Sequence, residues 1–492
     1  MKLLTSLAIT VLAFSLLNHV NAVIIKVPAD YSTIAEAVAK SSGGDTIVLS
    51  PGTYNEKNIV INKPLTISSE WIYWGNEDVI DQTIVNSSGS ILFTVNSDGT
   101  EISGLKIING DHTLDINART SVKYNHFYDN LDPVSMESGG GGYVGYNLIE
   151  NNGSGDDCID LDIKQNGSDI LIEYNELFNG KDDGIEIRLF TQADQNIHYE
   201  IRHNMISGAN NAGIQLISYD VYTGKVFSIH HNVFKNCKTG LGCMGGQNTS
   251  EDLSGASKMD EIVYFYNNTS VENQMGATGG NNIIAINNIA SGNSLGGFKL
   301  FGAESVIANN LFYNNQDNDL MDINASAAQY DNIFSTDPLL DGTTQRPLIN
   351  SPCIDAGKDT LNLDGSPVIE IKPGEYLGSA PDIGALEYDV NLSAGRSFRE
   401  EPECEYIRNY PNPFTLNTTI SVNLPRAGNV EISVFDMTGR KIMILEKGYL
   451  EKGAYNFEWP AGDKNGARLP SGLYTARITT GNITRNTKML QM

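Results

Sequence analysis

An asparagine returns again and again inside the same short hydrophobic phrase between residues 100 and 335, and no other feature limits the folds open to this chain so strongly. The phrase reads "YNHFYDN" at Tyr124, "YNLIENN" at Tyr146, "YNELFNG" at Tyr174, "HNMISGA" at His203 and "HNVFKNC" at His231. It continues as "NNTSVEN" at Asn267, "NNIASGN" at Asn287 and "NNLFYNN" at Asn309. The marker residues are Asn125, Asn147, Asn175, Asn204, Asn232, Asn267, Asn287 and Asn309, spaced 22, 28, 29, 28, 35, 20 and 22 apart. "SGLKIING" at Ser103 and "DNIFSTD" at Asp331 extend the series at both ends. Units of this length, built from short alternating strands without a helical period, stack as a solenoid. The expectation is an all-β chain whose main part is a right-handed parallel β-helix, one coil per unit, with coils about 4.8 Å apart. Equivalent residues then form columns. Asparagines in a column bond one another's amides, which is why one turn keeps this residue. Tyr124, Tyr146, Tyr174, His203 and His231 form a second column, either a structural stack at the corner or a strip for stacking sugars.

The ends of a solenoid need covers. "YSTIAEAVAK" from Tyr31 predicts a short amphipathic helix, with Thr33 and Glu36 in a capping box and Ile34, Ala37 and Val38 on one face. This segment with "GDTIVLSPGTYNE" resembles the entry to secreted β-helix proteins related to pectate lyases. "SPCIDAG" at Ser351 and "PDIGALEY" at Pro381 resemble their closing segment. The resemblance covers residues 23–390 and implies the fold rather than a chemistry.

Residues 1–22 read as a signal peptide: Lys2 begins it, an apolar run follows, and "VNA" ends it at Ala22. No later stretch is apolar over a membrane-spanning length, so the mature protein is expected to be secreted or held at the outer cell surface, without a transmembrane segment. The 492 residues carry a net charge of -26, which argues against nucleic acid and anionic membranes as partners. An acidic polymer would need a local basic patch or a bridging cation. Cys158, Cys237, Cys243, Cys353 and Cys404 lack metal-site spacing; Cys237 and Cys243 are a candidate disulfide, and small buried thiols are the alternative.

Composition changes near residue 391. A polar linker over 391–406 leads to alternating strands over 407–492, a small β-sandwich. Tyr410–Phe414, the Thr438–Gly439–Arg440 turn, Ser471–Gly472–Leu473–Tyr474 and a basic last strand resemble the C-terminal sorting domain of type IX secretion cargo. That resemblance implies the type IX machinery as a partner, passage across an outer membrane and removal of the domain. An ordinary Ig-like carbohydrate-binding domain is the alternative.

The stretch "GDDCIDLDIK" puts four carboxylates into seven residues, Asp156 to Asp162. Aligning coils on inward Val134, Ile159, Ile185, Ile214 and Leu241 sends the alternate residues outward. One outward column is then Ser135, Asp160, Glu186 and Gln215, and the next is Glu137, Asp162, Arg188 and Ile217. Asp132, Asp157, Asp183 and Ala212 occupy the preceding turn, with Asp156 and Asp182 beside them. Like charges one coil apart repel by roughly 1 kcal/mol in water and about 3 to 4 at an effective dielectric of 20. Raised pKa values or a hard cation would relieve this, and calcium suits flexible carboxylates in an exported protein. A merely solvated acidic face is the bland alternative.

Asp156, Asp157 and Asp160, with Asp132 placed 24 residues before Asp156, resemble the calcium site of the ninth polysaccharide lyase family. The resemblance implies calcium on Asp132, Asp156, Asp157 and Asp160, an acidic polysaccharide as substrate, and β-elimination by a basic residue. The family's lysine has no counterpart, because residues 190–200 contain none. Arg188, Lys181 and Lys164 are the candidates for the base, and Glu186, Asp162 and Asp183 are expected on the substrate side. Two other classes stay open: a glycosidase using paired carboxylates such as Asp157 with Asp183 or Asp160 with Glu186, and a non-catalytic glycan-binding surface protein. The insertion between Met244 and Glu261 would serve the last.

Overall fold

The computed structural model describes residues 22–136, 138–150, 155–164, 167–190, 197–219, 223–245, 259–363, 365–389, 406–412, 414–424, 427–437, 439–451, 453–462, 467–480 and 483–491. The expected signal segment up to residue 21, Glu137, most of the 244–261 insertion, Cys404 and most of the 391–406 linker lie outside these residues.

Three long parallel sheets make the body. One has thirteen strands, from Ile24–Val27 to Ala328–Tyr330; the second has twelve, from Gly52–Asn55 to Ile333–Phe334. The third has eleven strands, from Ile59–Ile61 to Asn318–Met321, and it carries the acidic columns. Each coil gives one strand to each sheet, and successive coils pair in parallel. This is a parallel β-helix. Inward Val134, Ile159, Ile185, Ile214 and Leu241 are all buried in one continuous core that runs the length of the solenoid. The helix Ile34–Lys40 buries Ile34, Ala37 and Val38 in that core. Thr33 caps it by accepting the Glu36 N–H, but Glu36 accepts from the Ser32 hydroxyl instead of closing the box.

The asparagine ladder is present and carries a correction. Asn125, Asn147, Asn175, Asn204 and Asn232 each donate a backbone N–H and a side-chain amide to the Oδ1 of the next member. The next members are Asn268, Asn288, Asn310 and Asn332, one residue beyond the expected Asn267, Asn287 and Asn309. In the coils of Asn268, Asn288 and Asn310 the tyrosine or histidine before the ladder is itself replaced by asparagine, so a doublet hides the register. Asn267, Asn287 and Asn309 instead continue the preceding column, whose members from Tyr124 to Asp331 have φ between 48° and 58°. In that column the aromatic rings stack: Tyr124 on Tyr146 and Tyr146 on Tyr174 at 4.9 Å, and Tyr174 on His203 at 4.8 Å.

A glycine column enters the third sheet at Gly184, Gly213, Gly240 and Gly276. A Cβ at any of them would lie 2.5–2.8 Å from the carbonyl oxygen of the glycine one coil on. Here the coils approach too closely for any side chain.

Residues 336–389 return along the flank of the solenoid. Leu361, Ile369 and Ile371 cover Ile284, Ile286, Val306 and Ala308, which point outward from their strands. Cys158, Cys237, Cys243 and Cys353 are buried and outside any disulfide, so Cys237 and Cys243 are not bridged. Beyond the linker, antiparallel sheets of three and four strands enclose a core around Trp459, Ile432 and Ile478. Among the described residues no helix is long and apolar enough to cross a membrane.

Candidate functional site

The first expected column forms in the expected register, and of the second the step from Arg188 to Ile217 is formed, while Glu137 lies outside the described residues. Ser135 pairs with Asp160, Asp160 with Glu186, and Glu186 with Gln215. Arg188 pairs with Ile217. All four members of the first column are buried.

The turn column is a second ladder, made of carboxylates. Asp157 N–H donates to Asp132 Oδ1 at 3.2 Å, Asp183 N–H to Asp157 Oδ1 at 2.8 Å, and Ala212 N–H to Asp183 Oδ1 at 2.5 Å. One oxygen of each aspartate therefore holds the next coil, and the other is left for a different partner. For Asp132 that partner is His112, whose Nδ1 lies 3.1 Å from Oδ2.

Two groups of three carboxylates bring oxygens within 4.8 Å of one another: Asp156, Asp157 and Asp182, and Asp157, Asp160 and Glu186. Asp157 belongs to both. Of the expected ligands, Asp156, Asp157 and Asp160 thus fall in these groups, whereas Asp132 stands with His112. Asp182 and Glu186 join from the next coil.

Arg188 lies beside the second group. Its Nη1 is 3.0 Å from Asp162 Oδ2 and 3.6 Å from Asp160 Oδ1, and Nη2 pairs with Glu186 Oε1. These acids hold the guanidinium above its ordinary pKa against the opposing pull of burial. Lys164 Nζ is 3.5 Å from Asp162 and its side chain is about half exposed, at 45%. Lys181 is exposed at the turn that enters the same strand from the other end.

Burial, reinforced by neighbouring acids, lifts the carboxyl pKa of Asp157 and Asp183 well above the usual range. Burial also pushes Glu186 up to about 8, with Asp160 and Asp162 adding to the rise and Arg188 opposing it. Asp132 and Asp182 are raised too, again chiefly by burial.

The residues present fit a hard cation. Besides the converging carboxylates, Asp162 Oδ1, Ser135 Oγ and Gln215 Oε1 are buried with no hydrogen-bond partner among the described residues. Calcium takes six to eight oxygens, neutral ones included, so these groups are a donor set that the protein alone does not satisfy.

Sequence reasoning assigned no role to Phe190 and Tyr219. They follow Glu186 and Gln215 by four residues, as Lys164 follows Asp160, and that shared offset was the available signal. Two cavities, of about 420 and 580 Å³, lie elsewhere, between the solenoid and the C-terminal strands. They are lined by Tyr73 and Tyr410, and by Tyr146 and Arg485, respectively.

A family profile described as a FlgD Ig-like domain matches residues 414–482. No curated protein matches the chain. Among solved structures, the chain is similar to AlyGC, described as a PL6 family alginate lyase, at 14% identity and TM-score 0.32, over 63% of this chain and 53% of that one. The chain thus spans about half the length of AlyGC. It is also similar to Pedsa3628 of Pseudopedobacter saltans, described as a PL6 family polysaccharide lyase, at 14% identity and TM-score 0.32, over 71% and 99%. A third is AlyF-OU02, an alginate lyase in complex with G6, at 12% identity and TM-score 0.31, over 75% and 96%.

Proposed function

We propose that the solenoid is a polysaccharide lyase that cleaves an acidic, uronate-containing polymer by β-elimination, with calcium in the carboxylate cluster. One observation carries the reading: Asp157, Asp160 and Glu186 converge from two neighbouring coils with Arg188 alongside. Clustered buried carboxylates with raised pKa values are what such a site needs before its cation arrives. Asp157, Asp160 and Glu186 would hold the ion, with Asp156 and Asp182 as a flanking group. When bound, the ion neutralises the substrate carboxylate and makes the adjacent C5 proton more acidic. Arg188, held as a cation, pairs with the same substrate carboxylate and orients the sugar. Of the three candidate bases, Lys164 stands beside Asp162 with its side chain about half exposed, and it takes the C5 proton. The C4–O4 bond breaks as the C4–C5 double bond forms, and water protonates the leaving oxygen. Assay of a uronate polysaccharide panel, with calcium and with chelator, tests this. An ultraviolet-absorbing unsaturated product that requires calcium is expected, and its absence on every polymer refutes the reading.

One observation favours a hydrolase instead. Glu186 keeps its proton to about pH 8 beside Asp160, which is the state of a general acid. Saturated reducing ends without ultraviolet absorbance would select that class.

For the C-terminal domain we infer a sorting role in type IX secretion, supported by the Tyr410–Phe414 and Ser471–Tyr474 segments. Secretion of the protein should then depend on this domain, and the exported form should be found outside the cell or on its surface.

A further inference from the structure

Lys164, Phe190 and Tyr219 stand in line on three successive coils, just past the strands that carry the carboxylates. Lys164 Nζ lies over the Phe190 ring at 5.6 Å from its centroid, and the Phe190 and Tyr219 rings are 4.9 Å apart at 41°. Both rings are partly exposed, unlike the acidic column beside them. Their backbone is pinned from behind. The buried Lys225 donates to the Phe190 carbonyl at 2.6 Å, and Tyr219 N–H donates to the Leu189 carbonyl at 3.1 Å. Rings held this way contact a ligand at small entropic cost. The charges around the Tyr219 hydroxyl are those of the site itself: Arg188 and Lys164 on one side of the balance, Asp162 and Glu186 on the other.

On a chain of net charge -26, Lys164 and Arg188 place two basic side chains beside two aromatic rings within one short span of a coil edge. That pairing matches the two faces of a uronate sugar, a carboxylate and an apolar C–H surface. Coils recur about every 4.8 Å, so a row of residues on successive coils suits an extended chain of sugars lying along the solenoid. We propose that Phe190 and Tyr219 form the wall of a sugar-binding subsite, against which a hexuronate unit packs its C–H face while its carboxylate turns toward Arg188. This rests on the lyase reading above and names two specificity-determining residues for it.

The test measures the affinity of the full-length protein for 1,4-linked hexuronate hexamers in calcium, as KM where the hexamer is cleaved and Kd where it is not. Phe190→Ala and Tyr219→Ala should each weaken it by about tenfold, the loss expected for one ring contact. Calcium affinity by calorimetric titration should stay unchanged in both, because neither ring is a ligand. Tyr219→Phe should bind within about twofold of wild type, since the ring remains. Phe190→Leu keeps volume without aromaticity, so a loss of affinity at unchanged melting temperature there separates recognition from packing. Unchanged hexamer affinity in both alanine variants overturns the subsite. So does equal binding of a neutral hexamer of glucose. Loss of hexamer affinity in Asp157→Ala while the ring variants bind normally would overturn the subsite and spare the lyase reading; a wild type that binds calcium but no hexuronate would overturn both.

Discussion

The raised carboxyls make the stability of the solenoid depend on pH in a direction opposite to that of ordinary salt-bridged acids. Glu186 has a folded pKa of about 8 against an ordinary 4.5. The folded state therefore keeps a proton that the unfolded chain gives up. Stability from this group is full below about pH 4.5 and is lost as pH rises to about 8. At about 1.4 kcal/mol per pKa unit, the gap of about 3.5 units amounts to several kcal/mol, roughly 5 at most. An unfolding entropy of about 2.1 cal/mol/K per residue gives about 0.8 kcal/mol/K for a solenoid of roughly 370 residues, so 5 kcal/mol corresponds to about 6 °C. Asp157 and Asp183 are raised in the same sense and add to the fall. Scanning calorimetry in chelator at pH 5 and pH 8 should show the solenoid transition drop by several degrees, about 6 from Glu186 alone as an upper bound. Millimolar calcium at pH 8 should restore most of the loss, because an ion that binds only the folded state stabilises it. Glu186→Gln, which cannot ionise, should show a shallower pH dependence than wild type in chelator. A melting temperature that is flat between pH 5 and pH 8 would refute the buried, proton-holding cluster. Equal slopes in wild type and Glu186→Gln would remove Glu186 from it.

Calorimetric titration should find calcium bound by the wild type, and Asp157→Ala should lose most of that affinity, since Asp157 belongs to both carboxylate groups; full binding by the variant would place the ion elsewhere. Asn175→Ala removes side-chain bonds to Val144 O, Glu173 O, Asn147 and Asn204, and should cost about 3 kcal/mol in denaturant unfolding; a loss under about 1 kcal/mol contradicts the ladder's role. Gly213→Ala forces a methyl to within 2.8 Å of Gly240 O and 2.6 Å of Phe234, and should lower stability by about 1–3 kcal/mol in the same assay. Intact-mass measurement on secreted protein should show residues 1–22 and most of the chain beyond Tyr406 removed; a C-terminus at Met492 would count against that processing.

How far the sequence was legible follows from which contacts are periodic. Alternation along a strand has period two, and apolar residues mark the inward face. Aligning Val134, Ile159, Ile185 and Ile214 was therefore enough to place Asp160 against Glu186 and Gln215 without coordinates. The ladder was legible for the same reason as far as Asn232 and slipped by one residue at Asn267. Two adjacent asparagines satisfy the same pattern, and only backbone conformation tells the left-handed corner position from the amide that bonds the next coil. Contacts set by turn length had no such marker. The return of residues 336–389 along the flank depends on where a long connection lands, whereas His112, the in-register partner of Asp132 one coil earlier, lay only outside the coils that were aligned. That return nevertheless left a trace. In Asn282–Ile286, Ile283 and Ala285 enter the core, yet Ile284 and Ile286 are apolar as well. A strand apolar on both faces is a strand covered on both faces. The same logic applies to the acidic face: outward positions Ser135, Asp160, Glu186 and Gln215 are buried but polar, and Ser135 Oγ and Gln215 Oε1 have no hydrogen-bond partner among the described residues. Where outward apolar residues foretold a covering segment of the chain, outward buried polar ones with oxygens to spare argue for a polar occupant, and a divalent cation is the one whose charge offsets those acids.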